Sequence, residues 1–207
     1  MGKISNIEIK KLENLYKLNK LTELEKETQK LLVVESNNLI LLNILGVVFL
    51  KKKLFQKAEK IFIKILNMNS KEANALKNLG EAYRKMGKLG YAIEYYELYL
   101  KINSNDNEVI NNLASSYLKN KKYRLAVNYY KILSEKNPQN QEYLTSLAFA
   151  LIASLDIEEG VQILEKILDK NINNERAYNG YISNQNYNPK KNINKIKEYI
   201  KKFKKLN

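Results

Sequence analysis

Residues 73–106 read ANALKNLGEAYRKMGKLGYAIEYYELYLKINSND, and most of the remaining chain repeats them. With Ala73 as position 1, large apolar residues fall at positions 4, 7 and 11 (Leu76, Leu79, Tyr83). Small residues stand at 8 and 20 (Gly80, Ala92) and an aromatic at 24 (Tyr96). This spacing predicts a helix over 74–85 and a second over 90–101. The turn between them, Met86-Gly87-Lys88, has a glycine where a helix C-terminus takes a left-handed residue. The small residues suit a close helix crossing, because backbones approach only where a side chain is missing.

Moving the frame by 34 residues tests it. Residues 107–140 place Ile110, Leu113, Ala114, Tyr117, Ala126 and Tyr130 on the same positions, with Pro138 at position 32. Residues 39–72 place Leu42, Leu45, Gly46, Phe49, Ala58 and Phe62, and residues 141–174 place Leu144, Leu147, Ala148, Leu151, Gly160 and Leu164. Position 31 is asparagine in all four units (Asn69, Asn103, Asn137, Asn171). Asparagine there is expected to tolerate left-handed geometry or to cap a helix.

The period of 34 and the pattern L-x-x-L-G-x-x-Y, then small, then aromatic, then Pro resemble tetratricopeptide repeats. The chain departs from that pattern in having no tryptophan at position 4 and proline at position 32 only once. The resemblance implies an all-α fold, an α-solenoid of antiparallel helix hairpins forming a right-handed superhelix. Four repeats are expected at 39–72, 73–106, 107–140 and 141–174. Residues 1–38 are expected to be a degenerate repeat or capping helix pair, and 175–207 a partial repeat with a basic capping helix.

The ends carry the frame loosely. Helices fit 6–18 and 21–34, but Glu8 and Lys11 stand at positions 4 and 7, and Leu24 at the small position 20. Such a unit would cover the first full repeat, whose 39–50 helix is apolar nearly all round. After residue 174 only Tyr178, Tyr181 and Ile182 match, residues 184–189 read as a loop, and 192–206 as an amphipathic helix with Ile193, Ile196, Ile200 and Phe203 on one face. Residues 190–207 hold eight lysines against Glu198, a charge of +7 that is half the chain's +14. Lysines around a closing helix read first as a solvated face.

Much chemistry is excluded. The chain has no cysteine and no histidine, which removes disulfides, thiol nucleophiles, the usual general base and the usual metal ligand. Seven scattered glycines build no phosphate loop. Glu158-Glu159 and Asp106/Glu108 read as first-turn and capping charges rather than an acid–base pair. No catalytic residue, metal or cofactor is expected, and the chain reads as a non-enzyme. Most of the fifteen tyrosines fall on packing positions. The polar opening residues lack an apolar signal region, and the 39–50 run is too short to span a bilayer, so a cytoplasmic location is expected.

In tetratricopeptide arrays the first helices line a concave surface, and the resemblance implies that positions 2, 5, 6, 9 and 12 face a ligand groove. In the first repeat these include Asn43 and Val47. The middle repeats supply Asn74, Lys77, Asn78, Glu81, Arg84, Glu108, Asn111, Asn112 and Ser115, and the last supplies Thr145, Ser146 and Phe149. Amide side chains donate and accept together, which suits gripping the backbone of an extended peptide. Asn78 and Asn112 share position 6 in successive repeats, which resembles the asparagine ladder of O-linked N-acetylglucosamine transferases. The carboxylate clamp of chaperone-binding members needs basic residues where this chain has Glu108 and Asn112, or Glu142 and Ser146, so a chaperone C-terminus is not expected.

The leading reading is a non-catalytic protein–protein interaction scaffold or adaptor with a peptide or partner protein in its groove. One alternative is the repeat module of a glycosyl- or sulfotransferase system whose catalytic part lies elsewhere. Another is contact with nucleic acid or anionic membrane through the lysine-rich end.

Overall fold

The computed structural model of the chain describes residues 4–187 and 192–204. Among the described residues there are twelve α-helices and no strand. They are α1 (Asn6–Lys17), α2 (Leu21–Val34), α3 (Leu39–Lys51), α4 (Phe55–Met68), α5 (Ala73–Lys85) and α6 (Leu89–Ile102). After these come α7 (Asn107–Lys119), α8 (Tyr123–Lys136), α9 (Gln141–Ala153), α10 (Ile157–Lys170), α11 (Glu175–Asn184) and α12 (Ile193–Phe203). Gln185–Tyr187 is a 3₁₀ turn where a loop was expected. Residues 188–191 and 205–207, with Lys190, Lys191 and Lys205 of the basic end, lie outside the described residues.

The chain forms two compact units, Met1–Asp106 and Asn107–Asn207. In the first, α1/α2, α3/α4 and α5/α6 are helical hairpins, and α2 packs on α3 and α4 on α5. In the second, α7/α8 and α9/α10 are hairpins, α8 packs on α9 and α10 on α11.

Helix boundaries follow from local chemistry. Ser5 and Glu8 form a capping box: the Glu8 N–H donates to Ser5 Oγ at 3.3 Å, and the Ser5 N–H to Glu8 Oε2 at 2.8 Å. Asn38, Asn140 and Asn174 share position 34, and their side chains accept from the first N–H groups of α3, α9 and α11. The first helix of each hairpin ends on a left-handed residue at position 15: Asn19, Lys53, Gly87, Lys121 and Leu155. The next N–H then reaches back to the carbonyl at position 11, as from Lys88 to Tyr83 at 2.9 Å and from Lys122 to Tyr117 at 2.9 Å.

The asparagines at position 31 behave otherwise. Asn69, Asn103, Asn137 and Asn171 have φ between −127° and −148°, so none is left-handed, and Asn69 and Asn171 are extended. Asn69 and Asn171 accept from the N–H two residues on, at 3.2 and 3.1 Å, and thereby shape the turn to the next hairpin.

The core consists of the expected rows. Leu45 and Leu79 in the first unit, and Leu113 and Leu147 in the second, are buried, as are Phe62, Tyr96, Tyr130 and Leu164 at position 24. The aromatic ring at position 24 fills the gap left by the small residue at position 8. A Cβ on Gly46 would lie 2.5 Å from the Phe62 ring, and one on Gly80 would lie 2.7 Å from the Tyr96 ring. In the terminal hairpin Leu12 and Leu24 take the two small positions, and both are buried. The last helix turns differently from its apolar pattern. Tyr199 is its buried residue and meets Tyr181 edge-on at 5.2 Å, Phe203 stacks on Tyr178 at 3.9 Å, and Ile193 is 56% exposed.

Candidate binding clefts between first helices

In the first unit α1, α3 and α5 enclose a cleft of about 380 Å³. Leu12, Ile44 and Val47 give it an apolar floor, while Asn43, Asn74 and Asn78 supply amides and Glu13, Tyr16 and Lys17 its outer wall. Asn43 lines the cleft, and its Oδ1 is buried without a hydrogen-bond partner. The Lys51 ammonium lies 4.3 Å from the centre of the Tyr16 ring, holding the aromatic wall in place.

The charged residues expected on this face are already engaged within their own unit. Lys77 Nζ pairs with Asp106 at 3.2 Å, and the same carboxylate accepts from the Tyr99 hydroxyl at 2.7 Å. Glu81 accepts from Arg84 Nε and Nη2, each at 2.7 Å, and from the Tyr96 hydroxyl at 2.9 Å. Burial pushes the Glu81 carboxyl up, but the Arg84 guanidinium outweighs it and holds the group below the usual range. Burial also raises the Tyr96 phenol, so Tyr96 is a neutral donor to Glu81. This part of the face is a neutralised network that orders α5 against α6.

In the second unit Glu108 is exposed on α7, and Asn111, Asn112 and Ser115 are half-buried. Asn78 thus belongs to the first unit and Asn112 to the second. Two expected groove residues are in the core: Thr145 is 1% and Ser146 5% exposed. Thr145 Oγ1 donates back to the Gln141 carbonyl at 2.6 Å, and Ser146 Oγ accepts from Arg176 at 3.3 Å. The Arg176 guanidinium also lies 5.1 Å over the Phe149 ring. Phe149 is half-buried and, with Arg176, Asn179, Gly180 and Ser183, lines a shallow second cleft of about 510 Å³ between α9 and α11. Gly180 is required there, because its Cβ would lie 2.7 Å from the Phe149 ring.

Several of these residues escaped the sequence reading, although the frame contains them. Counted from residue 5, Glu13 and Tyr16 are positions 9 and 12. Counted from residue 175, Arg176, Asn179 and Ser183 are positions 2, 5 and 9. The terminal units depart from the frame at core positions but carry polar or aromatic residues where the repeat pattern implies a concave face.

Paired helices with amide-bearing clefts between first helices are the fold of a protein-interaction scaffold of the α-solenoid class. The chain is a tetratricopeptide repeat protein: the sequence profile of that repeat matches residues 73–106, and a second such profile matches 111–175. Among solved structures it is similar to YrrB, described as a TPR protein with an unusual peptide-binding site. That likeness has a TM-score of 0.76 at 18% identity over 85% of this chain and 91% of that one. MamA from Desulfovibrio magneticus has a TM-score of 0.75 at 15% identity, over 84% of this chain and 99% of that one. A tetratricopeptide repeat protein from Parabacteroides merdae has a TM-score of 0.75 at 18% identity, over 85% and 70%. Likeness at such identities is likeness of fold. No curated protein matches the chain. No helix among the described residues is long and apolar enough to cross a membrane.

Proposed function

We propose that the protein is a non-catalytic adaptor whose first unit holds an extended peptide segment of a partner in the cleft between α1, α3 and α5. The observation that carries this is the buried, unpartnered Oδ1 of Asn43 beside an apolar floor. An unmet buried acceptor costs about 1–3 kcal/mol. A peptide N–H seated in the cleft would meet it once the Asn43 side chain turns into the cleft, while Leu12, Ile44 and Val47 receive an apolar side chain. Asn74 and Asn78 extend the amide row for neighbouring peptide groups. The peptide-binding description of YrrB agrees with this use of the fold.

The test is selection of binding peptides from a random displayed library against the whole chain, followed by affinities for variants. Asn43→Leu removes the unmet acceptor without leaving a void, so stability should hold or rise while the selected peptides bind about tenfold more weakly. Asn78→Ala should weaken the same peptides. Selected peptides that bind Asn43→Leu as tightly as the native chain would overturn the assignment.

A further inference from the structure

Leu155, in the turn between α9 and α10, is unfavourable twice over. Its φ is 74°, where an L side chain is crowded, and 82% of its surface is exposed. The matching turns have asparagine or glycine, which tolerate that backbone, or lysine, which belongs in water. A strained, exposed apolar residue is explained when a partner covers it.

What surrounds it indicates the partner's chemistry. Leu155 edges a shallow hollow of about 510 Å³ whose other walls include Lys121, Lys122, Arg124 and Leu125, the last 41% exposed. Ion pairs among the described residues of this unit include those of Lys131, Lys195 and Lys202. Lys121, Lys122 and Arg124 stay outside them, with Lys122 over the Tyr117 ring at 5.9 Å. The nearby Asp156 carboxylate accepts from Ser154 Oγ at 2.7 Å. Lys119 and Lys121 suit the negative C-terminal end of α7, but that reason fails for Lys122 and Arg124. They stand at the N-cap and first turn of α8, where the helix end is already positive. Cations there add to the field rather than cancel it.

We infer that this edge is a second docking site, for an acidic segment of a partner protein that presents one apolar side chain. The apolar side chain enters the hollow between Leu125 and Leu155, and flanking carboxylates meet Lys121, Lys122 and Arg124. Cations grouped around a concavity grip a single chain, whereas a lipid surface is met by anchors on a flat or convex face. The residues involved are separate from those of the first unit's cleft, so the two readings stand or fall independently.

The test is fluorescence anisotropy of the whole chain with an array of acidic peptides, each bearing one leucine, isoleucine or phenylalanine. A charge-reversed array and phosphatidylserine vesicles serve as comparisons. Acidic peptides should bind preferentially and weaken as salt is raised. Leu155→Gly should raise the melting temperature while weakening binding about tenfold, and Arg124→Glu should weaken binding at least as much. Opposite movement of stability and affinity is something a merely structural role would not produce. The inference is overturned by equal binding of the charge-reversed array, by full affinity in Leu155→Gly, by loss of the acidic peptides in Asn43→Leu, or by vesicle binding with the same Leu155 dependence in place of peptide binding.

Discussion

The ring of Tyr96 occupies the space that a side chain on Gly80 would need: a Cβ built there lies 2.7 Å from two ring carbons. Tyr96 is buried and its hydroxyl is tied to Glu81, so the ring cannot swing aside without breaking that bond. Gly80→Ala in a free helix would gain about 1 kcal/mol from propensity. Here overpacking reverses the sign, and the expected cost is about 1–3 kcal/mol. Gly46→Ala against Phe62 should do the same. Denaturant unfolding checks both, and an increase in stability for either variant would break the link between positions 8 and 24.

Position 15 gives the opposite prediction. A left-handed residue with a side chain is disfavoured by about 1–2 kcal/mol, whereas glycine there forfeits about 0.5–1 kcal/mol of unfolded-chain entropy. Replacing exposed Lys53 or Leu155 by glycine should therefore stabilise the protein by about 0.5–1 kcal/mol. Gly87→Ala should cost a similar amount. Thermal melts of the three variants test the frame at turns that share a conformation but not a residue type.

That difference shows what the sequence made legible. Gly87 and, in the terminal hairpin, Asn19 advertise the left-handed turn, whereas lysine and leucine carry no such signal and the hairpin imposes the geometry on them. The asparagines at position 31 suggest a left-handed residue, yet all four have negative φ, and Asn69 and Asn171 use their side chains to accept within the turn instead. Core positions were readable because size and apolarity decide them locally. Groove positions were readable only in part: Asn43, Val47, Asn74 and Asn78 line the first unit's cleft, but elsewhere exposure depends on the neighbouring hairpin. Thr145 and Ser146 share positions 5 and 6 with Lys77 and Asn78, yet α11 packs on α9 and Arg176 reaches over to Ser146. Glu13 and Tyr16 stand at positions 9 and 12 of a terminal unit whose core positions are degenerate, so the repeat pattern does not single them out.

Glu81 should make stability depend on pH. Its carboxyl sits below the ordinary 4.5 in the folded protein, against the opposing effect of burial, because of Arg84. A depressed folded value means the contribution is complete above the unfolded value and disappears as pH falls through the folded one. Glu81→Gln should therefore be less stable than the native chain at neutral pH, and the gap should narrow below about pH 4.5 and close in stronger acid. A gap that stays constant from neutral pH into acid would show that the charge on Glu81 is not what matters.

Tyr199 ties the last helix to the unit. Its ring packs in the cluster of Leu164, Ile167 and Tyr181, and its hydroxyl donates to Asp169. Burial and that hydrogen bond raise the phenol, so it remains a donor throughout the neutral range. Lys195 reinforces the contact by pairing with Glu165 at 2.8 Å and Asp169 at 2.9 Å. Tyr199→Phe should cost about 1 kcal/mol, since Asp169 is half-exposed and water can replace the phenol. Tyr199→Ala should cost about 3–5 kcal/mol through the lost packing. Stability in repeat folds is carried by nearest-neighbour contacts, so the damage should be local. Amide hydrogen exchange in Tyr199→Ala should accelerate in α10 and α11 while α7 keeps its protection. Uniform acceleration across the second unit would instead mean that it unfolds as one block.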